Sequence, residues 1–376
     1  MNSPFNAQHE SARHQHAGGI RIHNATPDTL SRIINMLDHI GLSSQIRLEH
    51  TPDDIRISLS AEMFSQWTPR HDTLLLTSKA TLSPFSNQDD LHREIWLAML
   101  AAPVWLNFPD ADELESNLRM RANIVVAANQ TQLAFDTEAI ERPKDCWTYH
   151  EDTGFTVIPG HQLIEALVKA TQPGASGNRY AFSCYRATEY VILLAVAREL
   201  SRVNPALYAR LQQQWQTKAI MSGKFHDVFL HELGSLTDPL PDHYYIPGDR
   251  VWFRNPERLS SDVPGYEGSW VFYLGSGLFS NFWQPGRPFT LTAKCVEIHH
   301  WRNGVYIDAN GRPAMDESKV EMLTRQTLAD PEATAGVLST MHRLRAPAGS
   351  DVEGGCLDAS REYPRFVHPH NNAIDW

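Results

Sequence analysis

The sequence predicts an α+β fold in which one long helix packs against an antiparallel sheet. Residues 184–200 form the most regular apolar helical pattern in the chain. Residues 250–282 contain strand patterns separated by turns rich in Gly and Pro. Helical and strand patterns also alternate within residues 20–88. We therefore expect a helix-and-sheet core that carries a small N-terminal α/β appendage.

The N-terminal part divides into a tail and a small domain. Residues 1–19 are polar and predict a disordered tail. Residues 20–88 are expected to form the small α/β domain, which would act as an appended domain or a lid. A helix begins there near Pro27 and ends near Ile40. Three strand patterns follow it: 45–50, 54–59 and 73–77.

The following residues, 89–345, are expected to form one larger domain, and residues 346–376 an irregular C-terminal tail rich in Gly, Pro and His. Helical patterns cover 89–99, 112–128, 160–170, 184–200 and 324–343. Strand patterns cover a hairpin at 146–157, then 250–254, 268–275, 278–282, and a last hairpin that pairs 296–300 with 304–307.

Composition excludes several classes of function. The net charge of −11 repels phosphate backbones, so no nucleic-acid partner is expected. No run of about 18 apolar residues predicts a membrane span, and the N-terminus lacks the apolar core of a signal peptide. The four cysteines include no C-x-x-C pair. A sparse cysteine set in a chain of this length is typical of the reduced cytoplasm, where we expect this protein.

Cys184 is the strongest candidate for a reactive group. It falls in the first turn of the most regular predicted helix, and Ser183 is a suitable N-cap. A thiol must become a thiolate before it attacks an acyl carbon. The free N–H groups and the positive dipole end of a first turn lower a thiol pKa, and one N–H can donate to an oxyanion. A cysteine at a helix start can also be a small buried hydrophobe, so its position alone leaves both interpretations open.

The motifs around Cys184 favour the interpretation that it is a nucleophile. In chain order they are LRMRANIVVAAN, CWTYHEDTGF, RYAFSCYRATEYVILLAVA, HYYIPGDRVWFRNPE, GSWVFYLGSGLF and MHRLRAP. Over about residues 118–347 their order and spacing resemble the spore-coat protein-glutamine γ-glutamyltransferase of Bacillus, in the papain-like transglutaminase superfamily. More distantly, they are similar to papain-like cell-wall endopeptidases. The resemblance implies that residues 89–345 form a papain-like, transglutaminase-like domain with Cys184 as its nucleophile.

The resemblance also implies a reaction and its partners. The family's cysteine attacks the γ-carboxamide of a protein glutamine, ammonia leaves, and a lysine amine then converts the thioester into an ε-(γ-glutamyl)lysine crosslink. The expected partners are therefore a protein or peptide that bears glutamine and a primary amine acceptor. No cofactor is expected. The sequence contains no D-x-D-x-D-G loop, so the activity should be independent of calcium.

At the positions where the resemblance places the general base, this chain has no obvious basic residue. The family's glutamate aligns with Ser269, and its acidic residue before the nucleophile aligns with Ser183. The family's histidine aligns with Asn281 or Phe282. None of these side chains accepts a proton readily near neutral pH, so a base must come from a neighbouring position.

Three groups of residues could complete the site, two of them as a base and one only by orienting a base. Glu267 lies two residues before the family's base position and so shares its strand face. Asn281 could orient a neighbour, as in Cys-His-Asn sites, but could not accept a proton. His299 and His300 lie on the predicted late strand, where one of them must point inward, and Asp308 follows them. That Cys-His-Asp order matches the general transglutaminase superfamily.

The altered base position leaves three functions open. The first is protein crosslinking through glutamine and lysine. The second is the same thioester chemistry used for deamidation or for amide synthesis on a different acyl donor. The third is a catalytically inactive binding protein with the same fold. No His-Glu-x-x-His motif occurs, so no metal site is expected, and His243 should lie at the surface.

Overall fold

The computed structural model describes residues 18–135, 141–346 and 354–376. In these ranges the helices are α1 Pro27–His39, α2 Ala61–Trp67, α3 Leu76–Ala80, α4 Gln88–Leu100, α5 Ala111–Gln130, α6 Leu163–Thr171, α7 Pro173–Ser176, α8 Cys184–Val203, α9 Pro205–Thr217, α10 Ser222–Phe229, α11 Arg258–Ser261, α12 Leu291–Gly304, α13 Glu317–Leu328 and α14 Pro331–Met341. Among the described residues, no helix combines the length and apolar character needed to cross a bilayer. The predicted disordered tail lies outside the described residues, apart from Gly18 and Gly19.

The strands complete an α+β architecture of several sheets. They are β1 Gly19–Ile22, β2 Ile46–His50, β3 Ile55–Leu59, β4 Trp105–Phe108, β5 Ala134–Phe135, β6 Trp147–His150, β7 Gly154–Val157, β8 Ala181–Phe182, β9 Leu230–Leu233, β10 Arg250–Arg254, β11 Gly268–Gly275, β12 Leu278–Phe279, β13 Phe289–Thr290, β14 Val305–Ile307, β15 Pro313–Met315 and β16 Arg361–Pro364. The predicted α+β class is confirmed.

The first sheet has the strand order β2-β3-β1-β4. Strands β2 and β3 pair antiparallel, as their alternating patterns predict, whereas β1 pairs parallel with β4. The predicted third strand at 73–77 is wrong, because Leu76 begins helix α3 there. Since β4 lies beyond residue 88, the sheet takes strands from both sides of the predicted domain boundary, and that boundary stays a prediction.

Helix α8 is the centre of the core. Ala187, Val191, Leu194 and Ala195, which the periodicity places toward the core, are all buried. The helix contacts α5, α6 and strand β11. Packing on several sides holds its first turn against the start of β11, and this contact positions Cys184.

The second sheet has the order β13-β12-β11-β10-β16-β9. The predicted strands 250–254 and 268–275 pair antiparallel as β10 and β11. The prediction of an irregular tail after residue 346 is wrong for β16, which pairs with β9 on one side and β10 on the other. The residues of this short strand carry no clear strand pattern. The strand forms because it pairs with partners that are distant in sequence.

The predicted last hairpin is also wrong. Residues 296–300 belong to helix α12, which begins after the N-cap Thr290, whose hydroxyl accepts the N–H of Ala293 at 3.1 Å. Leu291, Cys295 and Ile298 are buried and recur at the helical period. Strand β14 pairs with β15 instead.

Glu94 is a buried carboxylic acid beneath the turn that joins β11 to β12. One carboxyl oxygen accepts the N–H of Ser276 at 2.8 Å. Gly275 has φ of +96°, and a Cβ atom there would lie 2.4 Å from the other carboxyl oxygen. Burial raises the pKa of Glu94 to about 8, so this side chain is protonated in the folded protein at neutral pH.

The protonation of Glu94 predicts a pH dependence of stability. The folded protein holds this proton more tightly than the unfolded chain does. The resulting contribution to the free energy of unfolding is therefore complete below pH 4.5 and is lost as the pH rises to about 8. Relative to Glu94→Gln, the free energy of unfolding should fall by ~1.4 kcal/mol per pH unit across this window. Urea unfolding of both proteins measures the difference, with Glu62→Gln, an exposed glutamate on α2, as the control. Parallel pH curves for wild type and Glu94→Gln would contradict the prediction.

Candidate active site

Cys184 occupies the first position of α8, as the sequence predicts. Strand β8 leads directly into the helix, and the hydroxyl of Ser183 accepts the N–H of Arg186 at 3.3 Å. Ser183 is therefore the N-cap and is engaged in that role. The first turn of α8 faces the beginning of β11, which brings the thiol to one end of an inner strand of the second sheet.

The four cysteines differ in accessibility. Cys146, Cys295 and Cys356 are buried, whereas Cys184 is partly exposed. The sulfur atoms of Cys295 and Cys356 lie 3.3 Å apart within a hydrophobic cluster. Cys184 is thus the most accessible of the four cysteine residues.

The backbone N–H groups of Trp270 and Tyr185 lie near enough to the sulfur of Cys184 to favour its thiolate. The N–H groups of alternate residues leave a strand by opposite edges. In β11 the N–H of Tyr273 donates to Asp249 of the β10 side, and that of Phe272 donates to Ser280 of the β12 side. The N–H of Trp270 therefore points to the β12 side, where β12 pairs with Tyr273 and Gly275 further along, and this leaves it free to donate to the sulfur.

Burial raises the pKa of the Cys184 thiol. The two N–H donors and the charge of Lys294 act in the opposite direction, and Glu267 adds to the rise. The sequence-based prediction of a depressed pKa is therefore wrong. The free energy needed to remove the thiolate from water exceeds the stabilisation that the helix terminus and the neighbouring groups give it. At neutral pH the thiol keeps its proton, so attack on an acyl carbon requires a base.

Two side chains of opposite charge shift the pKa of the Cys184 thiol. Glu267 is exposed just before β11, and its carboxylate accepts the N–H of Gly265 at 3.3 Å. Lys294 is 3% exposed on α12; its Nζ lies 3.1 Å from the carboxylate of Glu297 and 3.6 Å from the ring centroid of Phe289. Sequence reasoning proposed Glu267, whose role stays a prediction, and did not single out Lys294, because the residues near 294 carry no motif.

Ser269 stands where the family's base is expected. It lies on β11 opposite Phe253 of β10 and is partly exposed. Its hydroxyl is not a base near neutral pH. The preceding Gly268 is required by close packing, because a Cβ atom there would lie 2.3 Å from the indole nitrogen of Trp252.

The side chain of Asn281 forms hydrogen bonds within its own loop. Its side-chain nitrogen donates to the carbonyl of Arg287 at 3.0 Å, and its side-chain oxygen accepts the N–H of Gln284 at 3.2 Å. The neighbouring Phe282 is buried, and its carbonyl accepts the N–H of Leu133 at 2.9 Å. These contacts explain a structural role for Asn281, and its role in orienting a base stays a prediction.

His299 and His300 lie on helix α12, so the argument that a strand directs one of them inward is wrong. The ring of His300 lies 2.7 Å from the hydroxyl of Thr327 on α13 and 3.0 Å from the amide of Asn303. Burial lowers the pKa of His299 to about 4. Asp308 accepts backbone N–H groups within its own turn. These contacts place His300 at the packing of α12 on α13 and give no support to a Cys-His-Asp arrangement.

An aromatic wall stands beside the sulfur. The rings of Tyr185 and Trp270 meet edge to face at 5.3 Å, and Trp270 stacks on Trp252 at 5.9 Å. The guanidinium of Arg250 lies 4.1 Å from the Trp270 ring centroid and 3.1 Å from the carboxylate of Glu362 on β16. Since Arg250 is 1% exposed, it stiffens the wall from behind.

Comparison with known proteins identifies the family. Residues 74–348 match the model of the protein-glutamine gamma-glutamyltransferase family. The chain belongs to this family. The resemblance seen in the motifs is thereby confirmed. No curated protein matches the chain.

The electrostatics of Cys184 in this γ-glutamyltransferase family member predict its alkylation behaviour. Because its pKa is raised, its reaction with iodoacetamide should still accelerate with rising pH above neutrality. Glu267→Gln should increase the neutral rate several-fold, and Lys294→Met should decrease it, since these charges act in opposite directions. Mass spectrometry of the Cys184 peptide measures each rate, with Glu257→Gln as a carboxylate control. A rate that is already constant at neutral pH would contradict the prediction.

Proposed function

We propose that this chain is a protein-glutamine γ-glutamyltransferase that acts through a thioester on Cys184, with Glu267 as the general base. One observation carries the proposal. The only partly exposed thiol among the described residues lies in the first turn of a helix, and two backbone N–H groups, a carboxylate and an ammonium group act on it. Membership of the family supports the reaction class.

In the first half-reaction, the sulfur of Cys184 attacks the γ-carbonyl carbon of a glutamine. Glu267 takes the thiol proton as the carbon–sulfur bond forms. The N–H groups near the sulfur and the charge of Lys294 favour the negative oxygen of the tetrahedral intermediate. Glu267 then passes its proton to the amide nitrogen, the carbon–nitrogen bond breaks and ammonia leaves. The product is a thioester.

In the second half-reaction, a primary amine attacks the thioester. Glu267 accepts a proton from the amine, the carbon–sulfur bond breaks, and the thiol recovers its proton. A new amide joins the glutamine side chain to the amine. With a lysine as acceptor, this amide is an ε-(γ-glutamyl)lysine crosslink. The aromatic wall of Tyr185, Trp270 and Trp252 offers an apolar surface to the methylene groups of both side chains.

Deamidation is the second candidate function. Glu267 is exposed, so water also has access to the proposed base and could attack the thioester in place of an amine. The donor could then be a glutamine or another amide, and amide synthesis on a different acyl donor follows the same logic. A catalytically inactive binding protein remains the third candidate, because Ser183, Ser269 and Asn281 stand where the family has titratable groups.

The proposal includes conditions for activity. The reaction needs a reduced thiol, and the sparse cysteine set supports a cytoplasmic location. No part of the proposed chemistry calls for calcium, so amine transfer should proceed in the presence of a calcium-selective chelator.

The deciding experiment supplies a glutamine-rich unfolded protein and a fluorescent primary amine. Covalent incorporation of the amine together with release of ammonia supports transfer. Ammonia release without incorporation supports deamidation. If neither product forms although Cys184 can still be alkylated, both transfer and deamidation are overturned. The catalytically inactive binding protein is then the function that fits. Omission of the amine is the matched control, because it should allow a Cys184 acyl adduct to accumulate in the intact mass.

A further inference from the structure

We propose that Asp242, His243 and His342 form a binding site for a divalent zinc ion. The inference goes beyond the proposed function and does not depend on it, since none of the three residues is used in acyl transfer. One carboxylate oxygen and one ring nitrogen from each histidine all lie within 4.8 Å of one another. Two imidazoles and a carboxylate are a donor set that zinc accepts, with water as a fourth ligand.

The three side chains are nearly in position to share one ion. The Nε2 atoms of His243 and His342 lie 3.9 and 3.8 Å from the two carboxylate oxygens of Asp242. The two rings have centroids 4.8 Å apart. Ligands about 2.0 Å from a tetrahedral zinc ion are roughly 3.3 Å from each other. Small side-chain rotations would therefore complete the coordination.

The ring of His342 is available to a metal. Its Nε2 atom is buried and has no hydrogen-bond partner within the described ranges. A buried polar atom without a partner is unfavourable unless something unseen satisfies it. A zinc ion held between the three side chains would give this atom a partner.

The backbone anchors the ligands on separate segments. His342 caps the end of α14, and the carbonyl of the preceding Met341 accepts the N–H of Cys356 at 2.9 Å. The carbonyl of His243 accepts the N–H of Thr73 at 3.1 Å. An ion would therefore fasten the end of α14 to the loop between β9 and β10. The Asp242 and His243 side chains are 47% and 42% exposed, which lets an ion enter from solvent.

A second group of possible ligands, Asp110, Asp112 and His370, does not share these properties. The carboxylate of Asp110 caps α5 through the N–H of Glu113 at 3.0 Å. Asp112 pairs with Arg32 at 2.6 Å. Protein donors already satisfy these carboxylates, so this group carries no inference.

The test measures zinc binding to the full chain after removal of metal with a chelator. The tail histidines His9, His14 and His16 are replaced by alanine in every protein, because they could bind metal independently. Isothermal titration calorimetry should show one ion per chain with micromolar or tighter affinity. His342→Ala should weaken binding by at least about tenfold, and zinc should raise the midpoint of thermal unfolding of the parent but not of His342→Ala.

Further variants keep the test decisive. Asp242→Asn replaces an exposed ligand and should weaken binding even if His342→Ala fails to fold. His23→Ala, an exposed histidine beyond β1, should bind zinc as the parent does. Cys184→Ala should also retain binding. Absence of binding to the parent, undiminished binding by Asp242→Asn, or loss of binding in Cys184→Ala would each overturn the proposal.

Discussion

Replacement of Cys184 by alanine should lower the rate of amine incorporation by at least ~10³-fold. The reason is chemical: without the sulfur no thioester forms, and the described residues place no other partly exposed thiol in the protein. Fluorescent amine transfer to a glutamine-rich protein measures the loss. Intact-mass spectrometry without the amine should show an acyl adduct on the wild type and none on Cys184→Ala.

Cys146→Ala is the matched control, because Cys146 is buried beside the β6–β7 hairpin. It should retain transfer activity within a few-fold of wild type. Unfolding midpoints of both variants establish that each is folded at the assay temperature. Transfer by Cys184→Ala within tenfold of wild type would exclude the thioester mechanism.

Glu267→Gln should lower the transfer rate by ~10²–10⁴-fold, the range that loss of a general base produces. The raised pKa of Cys184 makes the base necessary, since little thiolate exists at neutral pH. The residual rate should rise with pH, because attack then depends on thiolate formed without help. The same assay across neutral and alkaline pH measures both effects.

The alkylation of Cys184 separates a chemical role for Glu267 from a structural one. In Glu267→Gln the thiol should alkylate faster while acyl transfer becomes slower, an opposition that local misfolding would not produce. Glu257→Gln should leave both rates near wild type, because Glu257 is the N-cap of α11. If Glu267→Gln left the transfer rate unchanged, the base would have to be another residue.

Cys184 could be predicted because its signals are local. A capping serine, an apolar period of helical length and a turn just upstream all lie within a few residues of it. The direction of its pKa shift could not be predicted, because burial by β11 and the charges of Glu267 and Lys294 depend on packing between distant segments.

Helix α12 shows why the rest of the site was missed. Val296, Ile298 and His300 alternate with polar residues over a short stretch, which is typical of a strand. The competing signal was Thr290, whose side chain caps the helix. With the helix assigned, Lys294 lies on α12 and acts on Cys184, and His300 lies against α13.

The general base could not be identified from motifs alone. The resemblance of the motifs implied that Ser269 and Ser183 replace acidic residues of the family, and neighbouring positions on a strand suggested Glu267. Only the folded chain brings the charge of Glu267 near enough to raise the pKa of the Cys184 thiol and shows that Asn281 forms hydrogen bonds within its own loop. Motifs therefore located the candidate nucleophile, whereas the charged groups around it depend on three-dimensional packing.

The position of β16 has a consequence for synthesis on the ribosome. β16 separates β9 from β10, so the second sheet stays open until residues 361–364 have emerged from the exit tunnel. During that interval the nascent chain presents unpaired strand edges, which are a target for chaperones and a hazard for aggregation. Glu362 reaches Arg250 only when β16 docks, so the wall beside Cys184 gains this ion pair only after the second sheet has closed.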